Sequence, residues 1–192
     1  MIATVFVDYD NFRLRIPERT AQDVEFNLGA LIRHLLDEVR NFGGIREVDI
    51  RLYGGWLDEV GSHTQCASWL LTSASSSRGR WNGLLVRPAL IRSTIWRPDD
   101  ELRGTFRSRA ATPRQKMVDG MIILDLVYFA QNDSSRLLLI SDDDDLVPGA
   151  LAAAGLRRDA ISWARLCSAG DRPNDSLCQS AQIRLCNLRR TP

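Results

Sequence analysis

Residues 137–150 read LLLISDDDDLVPGA, and their order decides the fold. Three leucines and an isoleucine in succession describe a buried strand, too short for a helix of its own. Ser141 and four consecutive aspartates follow, and DLVPGALAAAG then reads as a helix ended by Gly155. Four adjacent carboxylates need an explanation. Two of them about 4 Å apart repel by roughly 4 kcal/mol at an effective dielectric near 20. The run therefore caps the helix and faces solvent, where aspartate suits both the cap and the dipole, or it helps to hold a cation.

The same strand-then-helix pattern recurs on both sides of this stretch. IATVFVD (2–8) is an apolar, β-branched run that ends in an acid, as expected of a buried strand. NLGALIRHLLDEVRNFG (27–43) reads as a helix capped by Asn27, REVDIRLYGGW (46–56) as a strand and HTQCASWLLTSA (63–74) as a helix closed by a loop. LLVRPALIRSTIW (84–96) reads as one or two strands broken at Pro88, and residues 97–116 as a polar loop. MVDGMIILDLVYFAQN (117–132) is helical and apolar around most of its circumference, which predicts tight packing. DAISWARL (159–166) supplies a last strand and NDSLCQSAQIRLCNLRR (174–190) a terminal helix. Alternating strands and helices predict an α/β fold: an open, mainly parallel sheet with helices on both faces. Residues 1–155 would form the domain proper, and 156–192 would complete it with the last strand and helix.

Composition narrows the function. The chain has 192 residues, and its 44% apolar content suffices for one core. No apolar run is long enough to span a bilayer, and MIATVFVDYDNF lacks the features of a signal peptide, so a cytoplasmic protein is expected. Four cysteines without C-x-x-C spacing and only two histidines argue against zinc. Net charge is +1, so no global field advertises a nucleic acid. All but one of the 25 basic residues are arginine, and Lys116 is the single lysine.

Ligands of open parallel sheets bind at the carboxyl ends of the strands, where strand order reverses. Asp8 and Asp10 follow the first strand, Asp142 to Asp145 follow LLLIS, and Asp119 stands near a helix start. If the two strands are neighbours, these acids share a crevice. A lone buried carboxylate such as Asp8 is costly, and converging acids stay ionised only with compensation. Mg²⁺ or Mn²⁺ suits an all-carboxylate site. Such a site serves phosphate chemistry, and no Walker glycine loop points to a nucleotide engine instead. The segment before the acidic helix carries Arg97, Arg103, Arg107, Arg109, Arg114 and Lys116, suited to tracking a nucleic-acid backbone.

VFVDYDNF, KMVDGMIILD and LLISDDDDLVP resemble, in order and spacing over roughly residues 2–155, the three motifs of NYN domains in the PIN-like nuclease superfamily. Those motifs are F-x-D-x-x-N, K-x-x-D-x-x-x-x-x-D and S-G-D-x-D-F-x-P. The resemblance implies a Mg²⁺- or Mn²⁺-dependent endoribonuclease. Asp8, Asp119, Asp143 and Asp145 would be its catalytic and metal-binding acids, and Asn11 and Lys116 would shape the site and hold phosphate. Arg107, Arg109 and Arg114 would join them on the substrate. RNA, single-stranded or structured, is the expected partner, with single-stranded DNA a further one. Asp142 and Asp144 stand where the family has small residues, and Leu146 where it has phenylalanine. Asp125 matches a trailing, more often helix-internal aspartate.

Two rivals share these residues. A haloacid-dehalogenase-like phosphohydrolase would use Asp8 as nucleophile and Asp10 as acid/base, although Phe12 replaces its usual threonine. The other is a non-catalytic RNA-binding or interaction module on the same fold. Leu177, Ile183 and Leu188 of the terminal helix could pack on the domain or on a second copy, forming a homodimer.

Overall fold

The first strand, β1 (Ile2–Asp8), lies at the centre of a seven-stranded sheet. A computed structural model describes residues 1–13, 18–58, 62–92, 117–158, 160–165 and 174–187. The strands are β1, β2 (Glu47–Tyr53), β3 (Gly79–Trp81), β4 (Leu84–Leu90), β5 (Arg136–Ile140), β6 (Ile161–Arg165) and β7 (Arg184–Asn187). Their order is β3-β4-β2-β1-β5-β6-β7, and every pairing is parallel except β3 with β4. The α/β expectation holds.

Helices cover both faces. On one, α2 (Ala21–Arg40) and α3 (Gln65–Ser76) pack Leu28, Leu31, Leu35 and Leu70 against Val5, Val7, Ile50 and Leu138. On the other, α4 (Val118–Asn132), α5 (Val147–Leu156) and α6 (Asp175–Ser180) enclose Phe6, Leu137, Leu139 and Trp163. Alternation along β1 divides its side chains between the two cores, as a strand buried on both faces requires. A short helix, α1 (Tyr9–Arg13), continues directly from β1. The helices α4 and α5 approach closely, for a Cβ placed on Gly149 would lie 2.6 Å from Ile123 Cγ1. No helix among the described residues is long and apolar enough to cross a membrane.

Four local expectations are corrected. The helix α2 begins at Ala21, not near Asn27. Thr20 and Asp23 form a reciprocal capping box, while Asn27 is buried mid-helix and donates to Glu18. Residues 79–81 form β3 rather than loop. Pro88 does not break β4, because it lies beyond the stretch paired to β3, where a sheet tolerates a missing N–H. The terminal segment is not one helix: α6 ends at Ser180 and β7 joins the sheet as an edge strand. Gln182 adopts the left-handed conformation (φ 62°), and Ile183 N–H bonds Cys178 O while Gln182 N–H bonds Gln179 O. Those two bonds form a helix-stopping motif that turns the chain into the strand. The all-round apolar α4 also leaves Leu124 half exposed.

Candidate metal centre

The chain crosses from β4 on one side of β1 to β5 on the other, so strand order reverses between β1 and β5. Val7 pairs with Ile140, and the register sets Asp8 beside Ser141 at the carboxyl end of the sheet. The crevice of such a reversal is where open α/β sheets bind ligands. Asp8 is fully buried. Its Oδ1 accepts the Asn11 main-chain N–H at 3.1 Å, and its Oδ2 accepts the Ser141 hydroxyl at 2.9 Å. Its pKa is pushed up to about 7: burial raises it most, the two hydrogen bonds lower it, and the charges of Asp119 and Asp10 add to the rise.

Ser141 also fixes the next acid, since its Oγ accepts the Asp143 N–H at 2.9 Å. Asp143 Oδ1 in turn accepts the Asp145 N–H at 2.9 Å, shaping the 3-10 turn Asp144–Leu146. Asp119 enters from the first turn of α4, after Met117 in a left-handed conformation (φ 62°). Its carboxyl is held above the usual range by burial first, then by the charges of Asp143 and Asp145. One oxygen from each of Asp8, Asp119 and Asp143 lies within 4.8 Å of the other two. Asp119 Oδ1 is buried and has no hydrogen-bond partner. Among the described residues no cation pairs with any of the three.

Three neighbouring acids, Asp10, Asp125 and Asp144, have partners of their own. Asp10 is buried and accepts the Gly55 N–H at 2.6 Å. Asp125, fully buried on α4, accepts from Arg51 Nη2 at 2.6 Å and from the Tyr53 hydroxyl at 2.8 Å, which pins α4 to β2. Asp144 pairs with Arg165 at 2.9 Å and accepts from Asn174. Asp145, expected as a fourth ligand, is exposed and stands outside the trio, although its charge reaches Asp119. The Asn11 main-chain N–H donates to Asp8. Lys116, Arg107, Arg109 and Arg114 lie outside the described residues. Trp56 is buried and donates to Ile91 O at 2.8 Å.

Ser141 and Arg165 escaped the sequence reading as site residues. A hydroxyl residue directly between a buried strand and the acids was the available signal for Ser141. An arginine closing the apolar strand ISWAR was the signal for Arg165. No family model, curated protein or solved structure matches the chain.

Proposed function

We propose that the chain is a metal-dependent ribonuclease whose Asp8, Asp119 and Asp143 hold Mg²⁺ or Mn²⁺. One observation carries the reading: three carboxylates from three separate elements converge at the switch crevice, with no cation paired to them among the described residues. The donor set fits a hard divalent ion, being all oxygen with one buried acceptor, Asp119 Oδ1, left open. Bound there, the ion would lower the pKa of a water and offset charge developing on a phosphodiester.

The chain's own residues prepare that site. The Asn11 N–H and the Ser141 hydroxyl each occupy one direction on an Asp8 oxygen and fix the plane of its carboxylate, leaving further lone pairs for a ligand. Ser141 ties the Asp8 carboxylate to the Asp143 main chain through one hydroxyl, and the Asp145 N–H holds the Asp143 carboxylate in turn. Asp145 at the exposed rim adds negative charge, which favours cation entry.

RNA as the substrate rests on the three-motif resemblance to NYN domains and on the arginine-rich stretch before α4. The phosphohydrolase alternative loses support from Asp10, whose carboxylate is buried beneath the Gly55 N–H and so is poorly suited to shuttle a proton. The test is incubation with mixed RNA and with single-stranded DNA, with and without Mn²⁺, comparing the native chain with Asp8→Asn. Cleavage only by the native protein with metal is the expected result. RNA binding without cleavage would turn the reading into a non-catalytic module, and a fully active Asp8→Asn would discard the metal assignment.

A further inference from the structure

Strand β6 grips the acidic loop at two points. Trp163 Nε1 donates to Ser141 O at 2.8 Å, and two residues on, Arg165 Nη2 reaches Asp144 Oδ1 at 2.9 Å. Residues i and i+2 of a strand face the same side, and here the guanidinium lies 4.0 Å from the centroid of the Trp163 ring. Asp143, the metal ligand in the reading above, stands between the two gripped positions. The same Nη2 also meets Asp175 Oδ1 at 3.1 Å, which fastens α6 to the assembly.

We infer that Arg165 is a positioning residue for the metal centre: with Trp163 it brackets Ser141–Asp144 so that Asp143 faces Asp8 and Asp119. The inference rests on the metal-binding reading. It also accounts for two members of the aspartate run, which divide the work: Asp143 faces the pocket while Asp144 is turned away onto a buried cation. A strand at this place needs only an apolar residue to pack. Arg165 is instead fully buried, with Nε and Nη1 lacking a hydrogen-bond partner, a costly arrangement for a charged group. Its two carboxylate contacts come from the acidic loop and from α6.

Positioning and bulk charge make opposite predictions. If Arg165 acted only through its charge, removing a cation from beside an acidic pocket would tighten a divalent ion. If it positions the loop, removal loosens the ion. Calorimetric titration of the full chain with Mn²⁺ separates these, using Asp8→Asn to identify the site. Asp144→Asn keeps an oxygen able to accept from Arg165 and is expected to bind close to native. Asp144→Ala removes the strut and is expected to weaken Mn²⁺ about tenfold or more, in the range of lost outer-shell partners of metal ligands. Arg165→Met should weaken it likewise, with Arg165→Lys recovering part of the loss. Tighter binding by Arg165→Met, or equal losses in Asp144→Asn and Asp144→Ala, would overturn the inference.

Native-state hydrogen exchange supplies an arm independent of metal. The amides of Asp143 and Asp145 should exchange faster in Asp144→Ala than in the native chain, and not in Asp144→Asn. Unchanged protection in Asp144→Ala overturns the bracket. If the native chain takes up no Mn²⁺ at Asp8, the metal reading falls, and the exchange result still decides whether Arg165 holds the loop.

Discussion

Two groups of carboxylates lie close together in this molecule and are treated in opposite ways. Asp125, Asp144 and Asp175 each have an arginine: Arg51 for the first and Arg165 for the other two. Asp8, Asp119 and Asp143 have none among the described residues, yet they stand within 4.8 Å of one another. Where a carboxylate serves the architecture, the fold supplies its counter-charge from an adjacent strand. Where three converge without one among the described residues, protons or an ion from solution can supply the compensating charge. The raised pKa of Asp8 is the protonic half of that alternative.

The comparison breaks first if the uncompensated group is dispensable. Asp8→Asn or Asp143→Asn should lower Mn²⁺ affinity and any Mn²⁺-dependent cleavage by more than about 100-fold, with the circular-dichroism spectrum unchanged. Loss of structure instead would make these acids architectural. The compensated group should respond in reverse: Asp125→Ala strands Arg51 and Tyr53 and is expected to cost about 3 kcal/mol in urea unfolding, while the Asp8 hydrogen bonds remain. Both groups depend on α4 lying close to α5. Gly149→Ala drives a methyl into Ile123 and should cost about 1–3 kcal/mol, read as a lowered melting temperature.

The smallest effect is the most diagnostic. Folded Asp8 keeps its proton up to about pH 7, whereas an unfolded aspartate releases it near 3.8. Between those values the folded chain binds more protons than the unfolded one. Asp8's contribution to metal-free stability is therefore greatest at the acid end and declines as pH rises toward 7. Metal binding runs the other way: Mn²⁺ affinity should climb about tenfold per pH unit until Asp8 has ionised near 7, then level off. Titrations from pH 5.5 to 8 would show the break. A flat profile would mean that Asp8 is already ionised and otherwise compensated.

Much of this was legible in the chain. Buried runs such as TVFV and LLLI announce central strands by composition alone, and acids at their carboxyl ends mark the crevice once those strands are neighbours. The division of labour within the aspartate run was not legible. It depends on Arg165 and Asn174, which lie 20 or more residues away and reach Asp144 only through tertiary packing, and on Asp175, which meets Arg165. Asp125 was ambiguous for the same reason, because its partners Arg51 and Tyr53 precede it by more than 70 residues. The capping box at Thr20 was readable from T-x-x-D but was outweighed by the stronger apolar period that begins at residue 28. The turn at Gln182 was hidden, since nothing in glutamine favours a positive φ; there the edge pairing of β7 overrides local preference.

The hydrogen bond from Ser141 to Asp8 joins residues 133 positions apart. During synthesis the first of them leaves the ribosome long before the second exists, so a growing chain has half a pocket and nothing to close it. Whatever chemistry the finished pocket performs thus starts only once Asp143 has cleared the exit tunnel.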